Sequence, residues 1–229
     1  MGTIIALIII AAWGSHLVYI LGYVTPDFAS PWLYFHILFQ GYLYTGLFIT
    51  AHDAMHGVVA PGKKMINKTI GSVASLLFAG MSYKRLKVNH FKHHKHPGTA
   101  QDPDFYIPSQ NFFLWWGSFL LRYTTISQLI IMAVAYNLMN LYVSELNLWL
   151  FWIIPAFLGT FQLFYFGTYL PHRKPHDHDM EPHKARTQKK NHLLAMLSCY
   201  FFGYHFEHHH APHKPWWKLY SVKEELFGK

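Results

Sequence analysis

Four long apolar segments constrain this chain more than any other feature. They cover residues 3–24, 32–51, 126–143 and 148–170, and each approaches the ~20 residues that a helix needs to cross a bilayer. Apolar runs of this length are typical of membrane spans. The sequence therefore predicts an all-α integral membrane protein with four transmembrane helices and a single domain over residues 1–229. Shorter apolar stretches at 70–82, 112–121 and 193–204 are expected to be interfacial or re-entrant helices, with Trp115 and Trp116 at the membrane interface.

The positions of the basic residues predict the orientation. All 19 Lys and Arg follow residue 62, nine from Lys63 to Arg122 and ten from Arg173 to Lys229. The turns at 26–31 and 144–147 contain none. Because basic loops stay on the cytoplasmic side, both turns are expected outside and both termini inside. The N-terminal MGTIIALIII lacks a basic leader region, so we expect it to begin the first span and not to be removed.

Composition excludes two other classes. The net charge of +8 could suit nucleic acid, but 8 Trp and 19 Phe concentrated in apolar stretches do not. No nucleic-acid partner is expected. The one cysteine, Cys199, allows neither an intramolecular disulfide nor a thiolate cluster. Any metal must therefore be held by nitrogen and oxygen ligands.

Histidine is the other unusual feature, with 18 residues in the chain. Eight of them form three groups at helical spacing: His52 and His56; His90, His93 and His94; His205, His208 and His209. Positions i, i+3 and i+4 share one helical face. All three groups are predicted on the cytoplasmic side. His16 and His36 lie in the first two spans, away from these groups, and are expected to be hydrogen-bonded structural residues.

Imidazole in this pattern favours a metal site. Neutral imidazole binds Fe, Zn, Cu and Ni, and because one ion takes about four to six ligands, eight histidines suggest two ions. Carboxylate-rich di-iron sites take Glu-x-x-His pairs from bundle helices, and the four predicted spans contain none; Glu145 is predicted outside. A metal-storage tract would need no exact spacing. A membrane metal carrier is the non-enzyme alternative, although the last two spans carry no charge at mid-membrane.

Two sets of strings resemble a known family. HDAMH, HFKHH and HFEHH resemble the three histidine boxes of the membrane fatty-acid desaturase and hydroxylase superfamily. Longer strings resemble its carotenoid 4-ketolase branch: AHDAMHG, HPGTAQDPDF, QNFFLWW, QLFYFGTYLPHR and HFEHHHAPHKPWWKL. The resemblance covers nearly the whole chain after about residue 40, and the first 35 residues only as a generic apolar span.

The resemblance implies a non-haem di-iron oxygenase, with four transmembrane helices and a cytoplasmic cap that holds the iron. The eight box histidines would be ligands, and His172, in YLPHR, a ninth. The implied ligand set is His52, His56, His90, His93, His94, His172, His205, His208 and His209. The adjoining His96, His210 and His213 break the helical face and are expected beside the ligands or in solvent.

The acidic residues near the boxes have less certain roles. Ligating histidines usually donate their second ring N–H to a carboxylate or carbonyl, and Asp53 and Glu207 are candidates for that acceptor. Asp102 and Asp104 flank Pro103 and are equally compatible with a turn or cap.

The implied reaction uses two Fe(II) ions, O2 and electrons from an external protein such as ferredoxin, because no flavin or haem motif is visible. Two hydroxylations of one ring carbon and loss of water would convert β-carotene to echinenone and then canthaxanthin. Carotenoid hydroxylation and fatty-acyl desaturation by the same site remain alternatives. The implied partners are a carotenoid, membrane lipid and the electron donor. Aromatic residues of the fourth span could line the substrate site, or could be ordinary packing: Phe161, Phe164, Tyr165, Phe166 and Tyr169.

Overall fold

The computed structural model describes residues 1–228, which are all-helical and contain no strand. The long helices are α1 (Gly2–Tyr23), α2 (Pro31–His56), α3 (Lys64–Ala79), α4 (Tyr83–Lys95), α5 (Phe112–Tyr123), α6 (Ile126–Asn140) and α7 (Glu145–His172). Shorter ones follow: α8 (His192–Cys199), α9 (His205–His210) and α10 (Leu219–Phe227), with 3-10 turns at His178–Met180 and Trp216–Lys218.

Two of these helices, α1 and α7, are long and apolar enough to cross a membrane. The prediction of four such spans is therefore supported only in part. α2 has 26 residues but is not among the helices that are apolar enough to qualify; the polar side chains of His36 and Gln40 lie within its apolar run. α6 has 15 residues, about 22 Å of helix, which is short of a ~30 Å hydrocarbon core. α5 and α6 qualify as a third span only together, and they are bent by 87°.

The helical bundle is built around α2, which packs against α1 and α7. Two glycines let α2 and α7 approach closely. A Cβ on Gly159 would lie 2.9 Å from the Cβ of Tyr44 and 3.2 Å from the carbonyl oxygen of Gly41, so a larger residue would separate the helices. At the far end of the bundle, Asn147 donates a hydrogen bond to the Val24 carbonyl at 3.2 Å. This bond brings the two basic-free turns to the same end.

α7 includes two π-helical turns, Trp149–Ile153 and Tyr165–Tyr169. Each lies just before a proline, Pro155 or Pro171. Proline lacks the N–H that continues an α-helix, and a wider π turn accommodates the missing bond. The helix therefore continues as far as His172 and carries that side chain to the end of the bundle at which α2 ends.

α3, α4 and the C-terminal helices surround the C-terminal ends of α2 and α7. α3 meets α4 where Gly71 faces the ring of Tyr83, leaving no room for a Cβ. Trp115 of α5 was expected at the membrane interface, but it is 1% exposed. Its Nε1 donates to the Asp104 carbonyl at 2.7 Å, so α5 is fixed to the loop that follows α4.

Candidate metal centre

The three histidine groups occupy helices, as their spacing predicts. His52 and His56 lie in the last turns of α2, which ends at Gly57 in the left-handed conformation (φ 77°). Glycine adopts this conformation without strain, so the helix stops directly after its second histidine. The middle group lies in the C-terminal half of α4, and the last group supplies three of the six residues of α9.

The nine predicted ligands converge, and they sort into two clusters. The first contains His52, His56, His90, His94 and His208, and the second contains His93, His172, His205 and His209. Within each cluster, one ring nitrogen of every residue lies within 4.8 Å of the others. The middle and last boxes are each divided between the two clusters. Their role as ligands stays a prediction.

The facing nitrogen atoms are the Nε2 atoms. In the first cluster, Nε2 of His208 lies 3.1 Å from that of His52 and 2.9 Å from that of His94. In the second, Nε2 of His209 lies 3.1 Å from those of both His93 and His205. A neutral imidazole has a single N–H, so a ring whose proton lies on Nδ1 presents an Nε2 lone pair to the cluster, where a cation can bind it.

Burial keeps most of these rings neutral. It lowers the pKa of His90, His205, His208 and His209 well below the ordinary value, and neighbouring imidazoles add to the effect. The pKa of His94 falls to about 2 for the same two reasons. Neutral imidazole is the form that binds a metal ion.

The second ring nitrogen is held by an acceptor in three of the nine residues. Nδ1 of His93 lies 3.0 Å from both oxygens of Asp102, Nδ1 of His172 lies 2.9 Å from the Lys184 carbonyl, and Nδ1 of His52 lies 3.4 Å from Asp53. Each acceptor places the ring proton on Nδ1, which leaves the Nε2 lone pair facing the cluster. Nε2 of His172 is buried without any hydrogen-bond partner.

Asp53 is the acceptor for a cluster histidine, as predicted. Its other carboxylate oxygen accepts a hydrogen bond from the backbone N–H of Trp216 at 3.1 Å. The corresponding prediction for Glu207 is wrong. Glu207 accepts instead from Thr187 at 2.7 Å and from Lys223 at 3.1 Å. On α9 it points to the opposite side from the ligand histidines, toward α10.

Asp102 is the carboxylate that sequence reasoning undervalued. It accepts backbone N–H groups in a turn, as expected, and also holds His93. Burial lowers the pKa of His93, but the charges of Asp102 and Asp104 outweigh this and raise it overall. Asp104 is half-buried beside Asp102, and desolvation raises its pKa to about 6. The sequence signal for this role was the Asp-Pro-Asp string at residues 102–104, which begins nine residues after His93.

The remaining histidines lie outside both clusters. His96, His210 and His213 belong to neither group, as expected. His16 and His36 were expected to be hydrogen-bonded structural residues, and they are. Nε2 of His16 lies 3.1 Å from Nδ1 of His36, and its Nδ1 lies 2.6 Å from the Gln40 oxygen.

The donor set fits two first-row transition ions. Five imidazoles face one point and four face the other, which leaves room for exogenous ligands around ions that accept about four to six donors. Because the donors are nitrogen, hard ions such as Mg²⁺ and Ca²⁺ are disfavoured. The buried, unpartnered Nε2 of His172 is consistent with an ion at the second point.

An apolar cavity of about 500 Å³ reaches both clusters. α6 and α7 form one wall, with Met132 and Trp152 among the lining residues, and four imidazoles form the inner end: His52, His90, His93 and His205. Of the two roles considered for the five aromatic residues of the fourth span, lining the cavity is excluded within residues 1–228, because none of them borders it. Phe164, for example, packs against Trp115 and Phe119.

A different stripe of α7 lines the cavity: Trp149, Trp152, Ile153, Ala156, Phe157, Thr160, Leu163 and Gly167. These positions recur every three or four residues, so they share one face. That periodicity was visible in the sequence, but only packing shows which face borders the cavity.

The sequence is similar to a known protein family and to several curated proteins. The fatty acid desaturase family model matches residues 29–145 and 125–229. A zeaxanthin 4-ketolase of Chlamydomonas reinhardtii is 38% identical over 99% of this chain and 54% of its own length. The β-carotene ketolase of Paracoccus sp. (strain PC1) is 42% identical over 78% of this chain and 74% of its own. A β-carotene ketolase of another Paracoccus strain is 38% identical, covering 94% and 89%.

The chain therefore belongs to the fatty acid desaturase family. The relatives reported above are carotenoid ketolases by name. It spans about half the length of the algal relative and most of the length of the bacterial ones. No solved structure matches it.

Proposed function

We propose that this chain is a carotenoid 4-ketolase that converts β-carotene to echinenone and then to canthaxanthin. The observation that carries the proposal is the apolar cavity whose inner end is made of imidazoles from both clusters. Its volume of about 500 Å³ is typical of a small-molecule site, ~300–1,000 Å³. The names of the relatives, zeaxanthin 4-ketolase and β-carotene ketolase, support the choice of substrate and ring carbon.

The metal assignment is two Fe(II) ions, one in each cluster. When bound, they would supply the activation of O2 that removes hydrogen from an allylic ring carbon. The nine histidines hold the ions, and Asp102, Asp53 and the Lys184 carbonyl keep three of the rings in the binding tautomer. The apolar lining excludes water and positions one ring end of the polyene against the imidazole end of the cavity.

The ketone forms by two successive hydroxylations of one ring carbon. Each consumes O2, two electrons and two protons, and yields a C–OH group and water. Two hydroxyls on one carbon form a gem-diol, which loses water to give the ketone. The electrons come from a separate protein such as ferredoxin.

The membrane arrangement is also proposed. α1, α2, the bent α5–α6 pair and α7 form four spans of a single domain, with both termini and the histidine clusters in the cytoplasm. The distribution of the 19 basic residues supports this orientation. The Asn147–Val24 hydrogen bond supports it too, because it joins the two turns that lack basic residues.

Expression in a β-carotene-accumulating bacterium, followed by chromatography of the pigments, tests the proposal. We expect echinenone first and canthaxanthin later. His93→Ala should abolish both products and reduce bound iron. The matched control, His96→Ala, changes a neighbouring histidine outside both clusters and should leave ketone formation intact.

Other products would contradict the proposal in distinct ways. Only 3-hydroxylated carotenoids from iron-loaded protein would identify a hydroxylase. New double bonds in membrane acyl chains, with carotenoids untouched, would identify a desaturase. Zinc or a single ion in active protein would contradict the di-iron assignment.

A further inference from the structure

A basic groove lies against the first cluster, separate from the apolar cavity. Seven lysines between Lys63 and Lys95 line it, contributed by the start of α3 and by α4. α4 divides the two spaces: Leu86, His90 and His93 border the cavity, and the opposite face borders the groove. No residue lines both within residues 1–228.

The lysines of this groove are unneutralised. Six of the seven are exposed, and Lys87 is half-buried. Across the described chain, the ion pairs join other residues, and no carboxylate lies within 4 Å of a groove lysine. A concentrated positive charge without internal partners attracts an acidic surface and steers its approach.

The floor of the groove reaches the first histidine cluster. His56 lines the groove, and its Nε2 lies 2.7 Å from that of His90. The exposed ring of Phe91 lies 5.4 Å from the His56 ring, centre to centre. Lys87 Nζ lies 5.7 Å from the centre of the Phe91 ring. A molecule bound among the lysines is therefore separated from the His56 imidazole by no more than the ring of Phe91.

We propose that the basic groove is the docking site of a small acidic protein that carries one electron. The inference rests on the proposed function, which needs two electrons from outside for each hydroxylation. Two reduced carriers dock in turn; each gives up one electron past Phe91 and His56 and leaves oxidised. The two protons come from solvent.

Anionic lipid headgroups also bind lysine clusters, so the occupant has to be distinguished. The groove favours the carrier, because a lipid headgroup gains nothing from an approach to a cluster histidine, whereas an electron carrier requires it. Access from the groove also leaves the apolar cavity free for the substrate.

The test measures the affinity of reduced plant-type ferredoxin, an acidic [2Fe–2S] protein, for the full iron-loaded chain in nanodiscs of zwitterionic lipid at low ionic strength. The groove variant combines Lys64→Glu and Lys84→Glu. Both residues are exposed and lie in the first turn of α3 or α4, where a carboxylate suits the helix dipole. The control combines Lys189→Glu and Lys218→Glu, two exposed lysines outside the groove.

We expect the groove variant to bind ferredoxin roughly tenfold or more weakly than the unaltered chain, with unchanged iron content and melting temperature. The control should change affinity by less than about twofold. Equal affinities for the two variants would overturn the proposal. So would an effect that appears only when the nanodiscs contain anionic lipid, which would assign the groove to lipid. Because binding requires no carotenoid, a chain that docks ferredoxin here but makes no ketone would refute the proposed function alone.

Discussion

Replacing Asp102 with asparagine should weaken metal binding although no proposed ligand is changed. Both carboxylate oxygens lie 3.0 Å from Nδ1 of His93. Each also accepts a backbone N–H at 2.8 Å, one from Gly98 and the other from Asp104. An asparagine has one acceptor oxygen and one NH2 group. Whichever way the amide turns, one backbone N–H therefore faces another donor.

The structure sets the size of this effect. A hydrogen bond that involves a charged group contributes about 1.5–3 kcal/mol, and Asp102→Asn removes such a bond from a buried histidine. Loss of a carboxylate that orients a ligand histidine typically costs ~10–100-fold in metal affinity or activity. A factor of this size is about 1.4–2.8 kcal/mol, so the two estimates agree.

Competition between the protein and a chelator for Fe(II), without oxygen, measures this loss. The control is Asp177→Asn, the same change at an exposed carboxylate that pairs with Arg186 outside the clusters. We expect the control to retain wild-type affinity. If Asp102→Asn bound both ions as tightly as the control, its carboxylate would not orient His93 for a metal, and the reasoning would be refuted.

Three further perturbations test other parts of the structure. Lys223→Met leaves Glu207 buried without its cation and should lower the free energy of unfolding by about 3–5 kcal/mol. The control, Lys190→Met, breaks an exposed ion pair and should lower it by less than ~1 kcal/mol. Denaturation in detergent measures both losses, and equal losses would contradict the prediction. Thr160→Trp should fill the apolar cavity and abolish pigment conversion with iron content unchanged, and normal conversion would place the substrate elsewhere. In metal-free protein, the pKa of His94 is lowered to about 2, compared with ~6.5 in the unfolded chain. Below about pH 6.5 the unfolded chain therefore binds more protons than the folded one. As the pH is lowered through this range, the free energy of unfolding should fall by up to about 1.4 kcal/mol per pH unit for each such imidazole. Thermal melts from about pH 8 to about pH 5 check this, and a constant melting temperature would contradict it.

The sequence predicted the helical class and the convergence of its histidines, for a local reason. Apolar runs specify helices in a membrane whatever their neighbours, and i, i+3, i+4 spacing places side chains on one helical face. The spans it predicted are supported only in part. α2 was expected to cross because its apolar run is long, but α2 is not among the helices found long and apolar enough to cross a membrane, and its run includes the buried polar residue Gln40. Gln40 is stabilised by contacts with α1, which no window of sequence includes.

The aromatic residues illustrate the same limit. The run of Phe and Tyr before His172 suggested a substrate wall, yet it packs against α5, and another stripe of α7 faces the cavity. Both stripes are apolar and helical in spacing. Only the position of α5 on one side and α6 on the other assigns them different neighbours.

By itself, the sequence determined that eight imidazoles would occupy three helical faces near one end of the molecule, because spacing along a helix is local. The tertiary structure decided how they divide. On α4, His93 joins the second cluster while His90 and His94 join the first, and α9 is split in the same way between His208 and its neighbours His205 and His209. Adjacent residues on a helix differ in direction by about 100°, so a helix placed between two points can contribute to both. Where those points lie follows from the packing of α2, α4, α7 and α9 around one another.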